Sequence, residues 1–247
     1  MKKVIGLALV AAAALAPRPA RAQVTEDMCG SSGLTQVCTR AKFQLSGGNL
    51  QVLLFNGVGA ASLVASSVQG VGVFNLDSYL GTWGLGGVSY VDNGVASDVS
   101  SDWTFVTGFP GLHVTFNAGA DASGNGGLTT CAGPTGGSGT NYKTCDGEAN
   151  PTFTGAQDWV LFTFTHTGGT ALDAAALTAL EWGWKAQRVG AANMSLECDS
   201  APGNVDTCTS EGGGTLEETP VPEPATMGLM AFGLAGMAAA AKRRRKH

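Results

Sequence analysis

The chain has 247 residues, enough for one sizeable core, and a formal net charge of −5 that hides an uneven distribution. Lys2, Lys3, Arg18 and Arg21 stand at the front and Lys242, Arg243, Arg244, Arg245 and Lys246 at the end, which leaves Arg40, Lys42, Lys143, Lys185 and Arg188 between them. Eighteen acidic residues accompany those five, a net charge of about −13, which excludes charge-driven binding to nucleic acid or anionic headgroups and is compatible with solubility, calcium or neutral glycans.

Lys2 and Lys3 precede a continuous apolar run over residues 4–15, and Ala20-Arg21-Ala22 follows as a small-x-small cleavage site. Residues 1–22 therefore read as a signal peptide, and the mature chain is expected to start at Gln23. Residues 25–39 are a short, polar stretch clasped by Cys29 and Cys38, and are expected to form an irregular or hairpin-like cap. Alternation begins at Ala41: residues 41–45 and 50–56 read as two strands joined by a Ser-Gly-Gly-Asn turn. Residues 59–69 are ambiguous between strand and short helix, and residues 71–76 read as strand. Glycine dominates residues 79–99, yet Trp83, Leu85, Val88 and Tyr90 mark buried positions and Asp92-Asn93-Gly94 a tight turn.

Residues 103–106 and 112–116, separated by the turn at 108–111, read as an antiparallel pair. The stretch 118–150 has almost no core-forming residues and reads as one long Gly-rich loop. From Trp159 the pattern is apolar on both faces, the mark of a central strand. Residues 170–180 are the one helical phrase of the exported part, and residues 181–190, with Trp182 and Trp184 in period two, read as the last strand. Short alternating runs, turn residues and the near-absence of amphipathic helix predict an all-β fold. It is expected to be a single antiparallel sandwich-like domain of eight to ten strands over residues 23–208, with barrel and sandwich left open. An acidic, Gly-rich spacer would follow over residues 209–220.

The six cysteines fall as three pairs close in sequence. Cys29–Cys38, Cys131–Cys145 and Cys198–Cys208 is the simplest of fifteen connectivities, each bond pinning a Gly-rich or polar excursion for roughly 3 kcal/mol or less. No pair has the C-x2-C spacing of a zinc site.

Candidate chemistry is sparse. His113 and His166 are the only histidines outside the tail, and Asp158 and Asp173 stand near His166 in sequence. No G-x-S-x-G elbow is present, so a satisfied strand histidine outweighs an acyl-transfer triad. Asp98 with Asp102, or Glu217 with Glu218, could pair for glycoside hydrolysis, although acids beside Gly, Ser and Asn are more often turn formers. Asp92, Asn93 and Asp98, or Asp121 with Asn125, are the candidate calcium ligands; neither set has EF-hand spacing. No other cofactor is implied. Trp83, Trp103, Trp159, Trp182 and Trp184 could stack on sugars if exposed, against a default of core packing.

The last 27 residues have three parts in a fixed order. Val221, Pro222, Glu223, Pro224, Ala225 and Thr226 form a Pro-Glu-Pro motif. Residues 225–241 form an uncharged, mostly apolar run, as a helix about 26 Å long and marginal for a bilayer core. Lys242, Arg243, Arg244, Arg245 and Lys246 close it with a cluster that stays cytoplasmic. This tail, residues 221–247, resembles the PEP-CTERM sorting signal of bacterial exported proteins. The resemblance implies the secretion machinery and a membrane-embedded exosortase as partners, tail processing, and delivery beyond the inner membrane in bacteria that make extracellular polysaccharide. It covers about a tenth of the chain and identifies a route, not an activity. The expected function is a structural or interaction protein of the envelope or extracellular matrix, more in keeping with a non-enzyme. The alternatives are a carbohydrate-binding module acting on extracellular polysaccharide and a secreted hydrolase.

Overall fold

The computed structural model describes residues 22–32, 35–59, 61, 64–109, 115–122, 126–133, 139–144, 153, 157–190, 194–200 and 208–211. In chain order these form β1 (Gln23–Ser32), β2 (Thr35–Ser46), β3 (Asn49–Asn56), β4 (Ser67–Phe74), β5 (Thr82–Asp92), β6 (Val95–Asp98), β7 (Trp103–Val106), β8 (Ala118–Ala122), β9 (Gly127–Thr129), β10 (Asn141–Lys143) and β11 (Trp159–Thr167). Then come α1 (Ala174–Ala179), β12 (Glu181–Val189), β13 (Met194–Asp199) and β14 (Cys208–Glu211). Among the described residues no helix is long and apolar enough to cross a membrane. The segments expected to be signal peptide and membrane helix lie outside them.

The strands make two sheets. Sheet A runs β14-β1-β2-β3-β11-β5-β6; sheet B runs β10-β9-β4-β12-β13, with β8 on the free edge of β4 and β7 on β8. All pairs are antiparallel except β9 with β10, which run parallel. One core joins the inner faces of the two sheets. Phe43 of sheet A meets Trp182 of sheet B edge to face at 5.7 Å, and Phe162 meets Trp103 at 4.8 Å. The all-β expectation holds in two sheets, but the described strands number fourteen and not the eight to ten expected.

Side-chain volumes are graded across sheet B. Register aligns Trp182, Val73 and Ala118 in one row and Trp184, Val71 and Ala120 in the next. Large, medium and small residues thus stand side by side on β12, β4 and β8. Such grading lets Phe162 and Trp103 fill the space above the alanines, since interiors hold few voids. On the opposite face of β4, Gly70 and Gly72 lie under Phe109 and Phe116, and a Cβ at either glycine would collide with the ring above it. Phe74, Phe109 and Phe116 form a separate small core there.

Several expectations need correction. Of the two alternatives for residues 25–39, the hairpin holds and the irregular cap does not: they belong to the long β1–β2 hairpin, in which every residue from Gln23 to Ser32 has a partner. The strand Trp103–Val106 pairs with Ala118–Ala122 and not with residues 112–116. Of that expected partner, residues 115 and 116 are not strand and 112–114 lie outside the described residues. The Gly-rich stretch 118–150 contains β8, β9 and β10 and buries Leu128 and Tyr142. Residues 181–190 are not the last strand, because β13 and β14 follow, and β14 takes three residues of the expected spacer. The helix is shorter than its alanine pattern suggests, beginning only at Ala174, where the Asp173 side chain accepts the Ala176 N–H at 3.1 Å.

At the end of the sandwich where β3 finishes, Asn56 is fully buried between the sheets. Its Nδ2 donates to the Leu128 carbonyl at 2.8 Å and to Ser66 Oγ at 3.2 Å, and its backbone N–H donates to Thr144 Oγ1 at 2.9 Å. One side chain therefore holds the end of β3 to the β9 strand and to the segment entering β4. Replacing it strands several buried polar groups at once. Asn56→Ala is expected to lower the unfolding free energy by about 2–4 kcal/mol, read as a lower urea midpoint at unchanged slope. A loss below about 0.5 kcal/mol would mean that the clasp is dispensable.

Candidate functional site

The tail begins beyond β14, whose four residues pair with β1 alone: Cys208 opposite Gly30, Glu211 opposite Asp27. Val221, Pro222, Glu223, Pro224, Ala225, Thr226 and the basic cluster Lys242, Arg243, Arg244, Arg245 and Lys246 lie outside the described residues. So do His113, Asn125, Cys145, Glu217 and Glu218.

His166 sits near the end of β11, on the inward side, directly opposite Trp83 of β5. Its ring lies 4.6 Å from the indole, and Nε2 is 3.2 Å from the Tyr79 carbonyl. Asp158 stands at the far end of the same strand, eight extended residues or about 26 Å away. Asp173 is closer but engaged elsewhere: it accepts the Tyr79 hydroxyl at 2.7 Å and caps α1. That hydroxyl, with the Ala176 N–H, holds the Asp173 carboxyl below the usual range. Among the described residues the structure does not join His166 to a carboxylate or a serine, and its contacts are those of a packed strand histidine.

The paired-acid candidates also separate. Asp98 Oδ1 accepts the Ser100 hydroxyl at 2.6 Å and the Ser100 N–H at 3.0 Å, which together lower its pKa. Asp102 instead accepts the Tyr142 hydroxyl. Asn93 and Gly94 form the tip of the β5–β6 hairpin next to Asp92, with φ +48° and φ +80° as such a two-residue turn requires. Asp98 stands opposite Ser89, three register positions or about 10 Å from that tip. Asp92, Asn93 and Asp98 therefore do not converge on one point, and among the described residues no three His, Cys, Asp or Glu side chains are grouped to hold a metal ion. Asp121 lies on β8, where burial raises its carboxyl pKa and Lys185 opposes that rise.

The tryptophans do not form a platform. Trp103, Trp182 and Trp184 are buried. Trp83 packs inward beside His166, whereas Trp159 lies on the outer face of sheet A against Phe55 and Phe153. Cys29 and Cys38 are disulfide-bonded across the β1–β2 hairpin, and Cys131 and Cys198 are disulfide-bonded as well.

A family model described as the PEP-CTERM protein-sorting motif matches residues 220–245. The chain carries a PEP-CTERM tail. The match contains the whole of Val221 to Thr226 and all of the basic cluster but Lys246. No curated protein and no solved structure matches this chain. The PEP-CTERM motif implies export, processing by exosortase and membrane-associated sorting to the cell surface. The domain in front of it is the cargo of that route.

Within that cargo, pattern reading did not single out the cluster of Tyr90, Tyr142 and Asp102. Tyr142 was embedded in the apparent loop 118–150 and carried no periodic signal. Its ring lies 5.2 Å from that of Tyr90, whose hydroxyl donates to the Lys143 carbonyl at 2.7 Å. Burial first, then Asp158 and Asp92, push the Tyr90 pKa up to about 12, and burial with Asp102 raises Tyr142. Both phenols are thus held neutral by the fold. Their stabilisation is complete below the unfolded value of 10.0 and is lost as pH rises through the folded one. The urea midpoint is expected to fall between about pH 10 and pH 12 and to fall less in Tyr142→Phe. A midpoint flat across that window would contradict the buried, neutral phenols.

Proposed function

We propose that this is a non-catalytic structural or interaction protein of the bacterial envelope or extracellular matrix, exported as a precursor and finished by exosortase. The observation that carries the reading is the sorting motif at residues 220–245 behind a disulfide-bonded β-domain. In this reading the signal peptide is removed after Ala22. The run 225–241 then holds the precursor in the inner membrane, with Lys242 to Lys246 on the cytoplasmic side. Cleavage near Pro224 frees the domain to reach the outer surface or the medium. The marginal length of the apolar run supports a temporary anchor over a permanent one.

Several features support a non-catalytic role. His166, Asp98, Asp102 and Asp173 each make hydrogen bonds that hold local structure, and no two of them share a reacting point. A charge of about −13 favours a neutral partner, with extracellular polysaccharide the class that the PEP-CTERM resemblance suggests.

The test is intact mass and fractionation of the protein from its own cells, for the natural chain and for a variant with Pro222, Glu223 and Pro224 all changed to alanine. The natural chain is expected to start near Gln23, to lack Arg243–Arg245 and to leave the inner membrane. The variant is expected to stay there at full length. Release of both at the same rate would remove exosortase processing from the account.

A further inference from the structure

Two of the bonded cysteines, Cys131 and Cys198, require partners beyond the Cys29–Cys38 pair. We infer that these bonds are Cys131–Cys145 and Cys198–Cys208, and that the second clamps β14, the last strand before the PEP-CTERM tail, onto the body of the sandwich. Strand register carries the assignment. Cys198 stands on β13 opposite Trp184, and its Sγ lies over Gly30 of β1 so closely that a Cβ there would collide with it. Gly30 is also the ladder partner of Cys208. Cross-strand neighbours have Cα atoms about 4.5–5.5 Å apart, so the glycine is where β13, β1 and β14 converge. A side chain at position 30 would fill the space that the sulfur occupies.

The other pair follows from β9 and β10. Thr144 donates its N–H to the Thr129 carbonyl at 3.1 Å, Cys131 comes two residues after Thr129, and Cys145 comes next after Thr144. A Cys131–Cys198 bond is too long. In sheet B, β4 and β12 stand between β9 and β13. At about 4.8 Å per strand that separation is roughly 14 Å, twice the Cα distance a disulfide tolerates.

Each bond forms by thiol–disulfide exchange. The two thiol hydrogens and two electrons of a cysteine pair pass to a disulfide-bonded oxidant, which leaves as two thiols. The consequence for β14 is mechanical. A four-residue edge strand with a single neighbour frays readily, and a covalent bond to β13 removes most of its open conformations. The last described strand of the domain is then fixed before the tail is handled.

The experiment takes the exported protein from its own cells, alkylates it without reduction and maps the linked peptides by mass spectrometry. Peptides joining Cys131 to Cys145 and Cys198 to Cys208 are expected. A link from Cys131 to Cys198 or Cys208, a link from Cys145 to Cys198, or alkylated thiols at these positions would overturn the assignment. The clamp is read by limited proteolysis of a C198S/C208S variant. Cleavage within residues 200–211 is expected to quicken about tenfold or more while the rest of the domain stays resistant. Equal rates would overturn the clamp. Should the variant not accumulate, mild reduction of the natural protein gives the same comparison. All six cysteines precede Val221, so either outcome stands apart from whether exosortase trims the tail.

Discussion

The two indoles of Trp182 and Trp184 set the spacing on which the sandwich depends. Facing sheets sit about 10 Å apart, and that gap must be filled from a chain in which glycine, alanine and threonine are the commonest residues. β12 places both rings on the inner face, fully buried, with β4 on one side and β13 on the other. Across the gap Phe43 meets Trp182. Glu26 also reaches inward from β1, and the Trp182 indole N–H donates to its carboxylate at 3.0 Å. A buried indole without such a partner carries a penalty of about 1–3 kcal/mol. Trp184 and Trp103 accept it: their Nε1 atoms find no hydrogen-bond partner among the described residues. Packing outweighs hydrogen bonding in this core.

Once β12 supplies the bulk, glycine elsewhere becomes useful. A strand with glycines at positions 70 and 72 offers a flat outer surface, and Phe109 and Phe116 occupy it. Sheet B is therefore covered on both sides of β4, by the main core within and by the small aromatic core without. Sheet A is dressed differently. Its outer face carries the two-pronged Arg40–Asp27 pair, at 2.6 and 2.7 Å, and the Gln44–Gln51 amide bond, beside the Phe55, Phe153 and Trp159 cluster over which Lys42 lies. Three of the five cations between the two ends thus have local structural tasks. Arg40 is paired, and Lys42 and Lys185 each lie over a phenylalanine ring.

Legibility followed from the size of the side chains. β11 announced itself, since Val160, Phe162 and Phe164 share one parity and Trp159 and Leu161 the other, and it is a central strand of sheet A. Trp83 and Leu85 share a parity that Val88 and Tyr90 do not, which alternation alone cannot reconcile. The register shift between Thr163 and Phe164 resolves it by leaving Gly86 unpaired, so that both sets contribute to the inner face. β8, β9 and β10 were hidden because small residues do their packing: Ala118 and Ala120 are fully buried, yet alanine and glycine in such a stretch read as loop. The Tyr142 and Asn56 contacts were invisible for another reason. Each joins residues far apart in sequence, and no local pattern encodes a partner 40 or 88 positions away.

The sorting tail was readable for the opposite reason. Its information is linear, three short parts in order, and needs no tertiary partner to be recognised. The domain contributes a topological condition instead. β1 opens it and β14 closes it, and the two strands are neighbours at one edge of sheet A. The first and last described strands of the domain therefore lie side by side at one sheet edge. Removing either segment that reads as an export signal severs none of the ladder bonds between the described strands, because both lie beyond the paired residues. A cargo whose sorting tail is processed in transit is stable only if its fold does not depend on that tail, and this strand order meets that condition.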